Sequence, residues 1–299
     1  MLSSIMPPVL QKGDKVAFIA TARKMDADVI SKAKALVSQW GLTVVEGENL
    51  RKEDHQFAGS DLQRAADLQW AINDSEINAI ICFRGGYGSV RILEKVDFSM
   101  LQHNPKWICG YSDVTALHNV IHNLNVTSLH STMPVNFESN SKESIETFKN
   151  ALFGIDQAIF FEGHELNRVG QAKAPVVGGN LSMLYSLRGT KHDLPTKGKI
   201  LFLEDLDEYL YHVDRMMQNL KLGGMLHGLK GLIVGGMTEM NDNSIPFGKT
   251  AVEIIKEAVS PYNYPVCFGA PIGHMDDNRT LKLGAMLNME VADNVKIWQ

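Results

Sequence analysis

Three short segments carry residue types suited to acyl transfer or anion binding. The first is Arg84-Gly85-Gly86-Tyr87-Gly88-Ser89, directly after the apolar run 79–83 (AIICF). Glycines at a strand end let the backbone turn sharply and aim its N–H groups at an anion. Neither GxxxxGK[ST] nor GxGxxG is present. Two readings stay open: a tight strand-to-helix turn, or an oxyanion or carboxylate site to which Arg84 adds a fixed cation. The second segment is Gly110-Tyr111-Ser112-Asp113-Val114-Thr115, after the run 107–109 (WIC). Ser at such a junction is the setting of a nucleophile elbow, with the hydroxyl exposed at the sheet edge and the next N–H pointing into the same space. The GxSxG pattern needs Gly where this chain has Val114. Ser is also a preferred helix N-cap, and on this fragment alone capping is the simpler reading of Ser112.

A serine nucleophile needs a base, and the base needs an orienting acid. His118 and His122 have the spacing of HExxH, but Asn119 stands where the metalloprotease motif has Glu. They read by default as two helix-surface histidines. His274 lies in the third segment, 270–278 (APIGHMDDN), a loop with Pro and Gly after a short apolar run, which places it at a sheet edge. One His followed by sequential carboxylates, Asp276 and Asp277, is a poor metal-ligand set. Glu204-Asp205 follows the run 199–203 (KILFL). Acids there can face a cleft, form a solvated strand end, or place charge at the start of the following helix.

These residues need a scaffold. The chain has 299 residues, 44% hydrophobic and 21% charged, a globular mix long enough for two domains or one large one. Its net charge of −5 argues against a general nucleic-acid binder. Cys82, Cys109 and Cys267 are widely spaced in apolar runs with no CxxC, the pattern of buried free thiols in a reducing compartment. The first 15 residues lack a basic region followed by an apolar one, so no signal peptide is expected, and no apolar run is long enough to span a bilayer. The expectation is a cytoplasmic protein.

In the first half, strands at 16–20, 42–45, 79–83 and 107–109 alternate with helices at 28–40, 62–72 and 113–124. That order predicts a parallel, doubly wound α/β sheet, with ligands bound where strands end and helices begin. The stretch 134–173 is polar and reads as an irregular connection. Beyond it, strands are expected at 174–177, 199–203, 231–234, 266–268 and 288–291, with helices at 181–187, 209–222 and 249–258.

Taken together, CFRGGYGSVRIL, PKWICGYSDVTALH, GGNLSML, ILFLEDLDE and PIGHMDDNRTLKLGA, in this order, resemble the LD-carboxypeptidases: the murein tetrapeptide carboxypeptidases and the microcin C immunity serine peptidases. The resemblance implies a flavodoxin-like N-terminal domain and a smaller, β-rich C-terminal domain. The boundaries expected are 1–135, a linker over 136–172, and 173–299. It implies a Ser112–Glu204–His274 triad, with an oxyanion hole from the backbone N–H groups of Gly86 and Asp113. Substrate contacts are expected at Arg84, which binds a terminal carboxylate or braces the loop, and at Gly179 and Asn180, which line the pocket or cap the next helix. Asp205 and Arg215 read as an ion pair or as substrate-side contacts. The expected substrate is a muropeptide or other small peptide cut at its terminal D-Ala. The chemistry needs no metal or cofactor, and a homodimer is implied. The alternatives are an aminoacyl-nucleotide detoxifying peptidase and a non-catalytic binding protein. One departure stands out: the family usually has His-Gly-Pro-Met where this chain has His130-Ser131-Thr132-Met133-Pro134. No Trp occurs between Trp107 and Trp298, which favours the muropeptide reading over one that stacks a nucleobase.

Overall fold

A computed structural model describes residues 4–299; residues 1–3 of the stretch read for a leader lie outside them. The N-terminal half runs β1 (Lys15–Ile19), α1 (Ala27–Gln39), β2 (Thr43–Glu46), α2 (Asp61–Asn73), β3 (Ile77–Cys82), α3 (Met100–His103), β4 (Trp107–Gly110), α4 (Thr115–Asn123) and β5 (Ser128–His130). Four pairings in strand order 2-1-3-4-5 are all parallel. This is the flavodoxin-like order. The apolar run in β3 is explained by burial on both faces: Ile80 and Cys82 enter one core cluster, Ala79 and Ile81 the other. Helix α2 starts at Ser60, whose side chain and that of Gln63 form a reciprocal capping box.

The chain continues with α5 (Lys142–Leu152), β6 (Ala158–Glu162), β7 (Gly170–Asn180), α6 (Leu181–Ser186), β8 (Ile200–Leu206), α7 (Leu210–Leu222), β9 (Gly231–Thr238), α8 (Ala251–Ala258), β10 (Val266–Cys267), β11 (Leu281–Leu283), β12 (Met286–Val291) and β13 (Asn294–Trp298). The second sheet has the order β10-β9-β8-β7-β12-β13-β6. From β7 to β10 the strands are parallel, with α6, α7 and α8 as the crossovers. From β7 through β12 and β13 to β6 they are antiparallel. The helices expected from residue spacing and the β-rich character implied by the resemblance therefore both occur, in the two halves of one sheet.

The stretch 134–173 is not irregular. Helix α5 is capped by Ser141, whose side chain accepts from the Ser144 N–H at 3.0 Å. It sends Phe148 into the N-terminal core against Trp40, with ring centroids 5.8 Å apart. Strand β6 pairs with β13. The segment is thus divided between the two sheets rather than spanned as a linker. Its polar average conceals Ile145, Phe148 and Leu152, which lie at helical spacing. The loop after β10 makes the reverse crossing: it leaves the second sheet and returns as β11 to pair antiparallel with β5 in the first. His274 lies on this crossing loop. Among the described residues no helix is long and apolar enough to cross a membrane.

Candidate functional site

Ser112 sits two residues past the end of β4 with φ = +62°, a left-handed conformation that non-glycine residues rarely adopt. Such backbone strain turns a hydroxyl out of the strand-to-helix junction. The capping reading fails, because α4 has no side-chain cap and the Ser112 Oγ lies 3.0 Å from His274 Nε2. The missing second glycine of GxSxG is explained by the glycine that is present: a Cβ at Gly110 (φ +150°) would come within 2.9 Å of the Val114 side chain. Gly110 therefore makes the room that Val114 fills. Behind the turn, His118 bonds to Ser128 Oγ at 2.8 Å and to the Gly110 carbonyl at 2.9 Å.

His118 is buried, not at the helix surface, and burial lowers its pKa to about 4. His122 is likewise lowered to about 4, first by burial and then by Lys199, whose Nζ is 2.6 Å away. Their spacing in the sequence puts both on one helix but does not reveal that the helix packs against the second sheet.

The glycine loop faces Ser112 from the end of β3. A Cβ at Gly85 would lie 3.1 Å from Ser112 Oγ and 3.4 Å from the Asp113 nitrogen, so only glycine leaves that space open. Gly86 has φ = +110°, and the Arg23 side chain packs where its Cβ would stand. The buried Asp113 carboxylate accepts from the Ser89 N–H at 2.8 Å and ties the turn after β4 to the loop after β3.

Glu204 lies inside β8, fully buried, rather than at a solvated strand end. Its Oε2 accepts from the His274 backbone N–H at 3.2 Å and lies 2.6 Å from His274 Nδ1. Gly273 (φ +110°) permits this, since a Cβ there would fall 2.7 Å from the same oxygen. Burial opposes charge on His274, but the charge and hydrogen bond of Glu204 outweigh it, and the pKa is raised above 6.5. Nδ1 donates to the carboxylate in this arrangement, leaving Nε2 free to accept from Ser112.

These groups open on a cleft of about 480 Å³ whose wall includes Arg23, Arg84, Gly86, Met133, Asn180 and Asp205. Arg84 braces the loop by donating to the Lys24 carbonyl at 2.9 Å and still lines the cleft. Asn180 stands at the start of α6. Its Oδ1 caps α6 by accepting from the Met183 N–H at 3.2 Å, and the residue lines the cleft. Gly179 is off the cleft wall. Its φ is +145°, and a Cβ there would stand 2.5 Å from the Thr115 hydroxyl, so it is a close contact between β7 and α4. Asp205 does not pair with Arg215, whose guanidinium lies 5.1 Å over the Tyr211 ring. Asp205 accepts from Asn180 Nδ2 and the Ser182 N–H, each at 2.8 Å. Burial first, and then the charge of Glu204, push it up to about 7.

Arg23 is a cleft residue that the sequence motifs do not single out. Its position just after β1, on the same sheet edge as the ends of β3 and β4, is the one signal available for it.

Two sequence profiles match the chain: LD-carboxypeptidase N-terminal domain over residues 16–131, and LD-carboxypeptidase C-terminal domain over 173–289. A probable murein peptide carboxypeptidase of Bacillus subtilis is 32% identical, the match covering 97% of this chain and 93% of that one. The crystal structure of muramoyltetrapeptide carboxypeptidase from Oxalobacter formigenes superposes with a TM-score of 0.87 at 25% identity, covering 95% of this chain and 98% of that one. The microcin C7 self immunity protein shares the fold, with a TM-score of 0.85 at 21% identity over 99% of this chain and 98% of that one.

Proposed function

The chain belongs to the LD-carboxypeptidase family, and from that premise we propose that it is a serine carboxypeptidase that releases the terminal D-Ala from muropeptide tetrapeptides. The observation carrying the proposal is the contact chain Ser112 Oγ–His274 Nε2–Glu204, at 3.0 Å and 2.6 Å. In this reading Ser112 Oγ attacks the scissile carbonyl while His274 Nε2 takes its proton. His274 then returns the proton to the leaving D-Ala amine. Glu204 holds the Nδ1–H tautomer and stabilises the imidazolium. Water attacks the acyl-enzyme by the same route.

The N–H groups of Gly86 and Asp113 stabilise the tetrahedral oxyanion, and Arg84 with Arg23 offers charge to the substrate's terminal carboxylate. The domains proposed are 1–135 and 173–299, with 136–172 shared between them. Three buried free cysteines support a reducing, cytoplasmic setting for peptidoglycan recycling. A homodimer is proposed on family resemblance. The muropeptide reading is preferred to an aminoacyl-nucleotide one because Tyr111, an aromatic side chain on the cleft wall, is already packed 4.8 Å from His274.

The test is incubation with a tetrapeptide ending in D-Ala. Release of D-Ala is expected, and a folded protein that releases none loses the substrate assignment. The rate should fall as pH drops, with a midpoint above the ordinary imidazole value of 6.5, because protonated His274 cannot accept the Ser112 proton. A midpoint below 6.5 would contradict the His274–Glu204 coupling.

The oxyanion assignment makes its own prediction. Gly85→Ala places a methyl 3.1 Å from Ser112 Oγ, in the space the oxyanion needs. It should lower kcat/KM by about 10²-fold, and wild-type turnover in this variant would displace the oxyanion site from the glycine loop.

A further inference from the structure

The proposed nucleophile follows a strand of the first sheet and the proposed base lies on the loop that crosses between the sheets, so something must set their register. The loop after His274 is gripped from the N-terminal side. Asn140 Nδ2 donates to the Met275 carbonyl at 3.3 Å. The Ser141 N–H and Ser144 Oγ donate to the Asp276 carbonyl at 2.8 Å and 3.1 Å. These are the two carbonyls that directly follow His274, whose own carbonyl accepts from Thr238 Oγ1 of β9 at 2.9 Å.

The Asn140 amide is itself oriented. The hydroxyl of Thr132, a fully buried residue, donates to Asn140 Oδ1, which turns Nδ2 toward Met275. One helical turn back, the Asn140 N–H donates to the Asn136 carbonyl at 2.8 Å, and Asn136 Oδ1 accepts from Tyr111 at 3.2 Å. Tyr111 precedes Ser112 and packs on the His274 ring. The grip thus joins the residue before the nucleophile to the residue after the base. Thr132 lies in the segment His130-Ser131-Thr132-Met133-Pro134 after β5.

We infer that Thr132 and Asn140 are positioning residues that fix His274 against Ser112 by holding the Met275 carbonyl. The inference rests on the roles proposed for Ser112 and His274. A displacement of the base by about 1 Å costs up to about 10²-fold, while Arg23 and Arg84 line the cleft outside the grip.

The experiment uses Asn140→Asp, which keeps the shape and the oxygen that accepts from Thr132 but turns a second oxygen toward the Met275 carbonyl. Its kcat for D-Ala release should fall by about 10- to 100-fold with KM within about twofold. The rate at which a fluorophosphonate labels Ser112 should fall by a similar factor. In Thr132→Val, which adds no charge beside His274, the midpoint of the acidic limb should stay in place, since the Glu204–His274 contact is not part of the grip. Thr132→Val should show the same pattern more weakly, and Thr132→Ser should recover it, which keeps the test informative if Asn140→Asp does not fold.

Wild-type kcat and labelling in Asn140→Asp, a loss confined to KM, or equal losses in Thr132→Ser and Thr132→Val would overturn the inference. A wild type that is labelled but releases no D-Ala removes the substrate assignment and leaves the labelling arm intact. A wild type that is not labelled overturns the base assignment and this inference together.

Discussion

Ser112→Ala is expected to lose at least about 10³-fold in kcat for D-Ala release, leaving only the contribution of substrate binding and the oxyanion donors. The loss follows from chemistry, because without Oγ there is no covalent route and His274 has no proton to accept from the protein. Stability should separate two truncations at this position. Ser112 carries φ = +62°, a conformation costing a non-glycine residue about 1 kcal/mol or more. Alanine keeps that strain and glycine relieves it. Ser112→Gly should therefore be at least as stable as Ser112→Ala, against the ordinary cost of about 0.5–1 kcal/mol for placing Gly in regular structure. The pair is read by kcat together with thermal melting. Residual turnover near wild type in Ser112→Ala would remove the nucleophile. A Ser112→Gly protein melting well below Ser112→Ala would remove the strain.

The same residue shows what a sequence can and cannot carry. Ser112, Glu204 and His274 each follow an apolar run, and strand ends in α/β folds face clefts, so their neighbourhoods are legible. The choice between cap and nucleophile at Ser112 is not, because it turns on a backbone angle and on a partner 162 positions away. Val114 looks like a broken motif in the sequence, whereas in the fold Gly110 yields the space it fills. Glu204 reads as a strand-end charge because the run KILFL stops before it, yet β8 continues past it to Leu206. Helix α5 is lost when polarity is averaged over forty or so residues and emerges only from the spacing of its few apolar ones. The sequence places His118 and His122 on the right helix but not their surroundings: His118 is buried against β4 and β5, and half-buried His122 meets Lys199 beside β8. The Asn140–Met275 contact spans 135 positions and leaves no local trace at all. Local turn chemistry writes itself into short segments; contacts between the two sheets do not.

Glu204→Gln should lower kcat by about 10³-fold and also move the pH dependence, and the two effects have one cause. Glu204 Oε2 already accepts from the His274 backbone N–H, so the amide oxygen is expected to take that position and face Nδ1–H as well. The His274 tautomer then survives, and what disappears is the charge opposite the imidazolium as it forms. The other amide position falls where Glu204 Oε1 has no hydrogen-bond partner, leaving a buried NH2 unsatisfied at a cost of about 1–3 kcal/mol in stability. The pH profile turns on two opposed influences on His274. Burial alone lowers its pKa, and the charge and hydrogen bond of Glu204 together raise it. With the charge gone, burial is opposed only by the more distant Asp205 and Glu239, and the acidic limb should shift to lower pH, so the variant loses proportionally less activity in acid than the wild type. Loss of activity without that shift would mean that Glu204 holds the His274 loop in place without setting the charge on the imidazole.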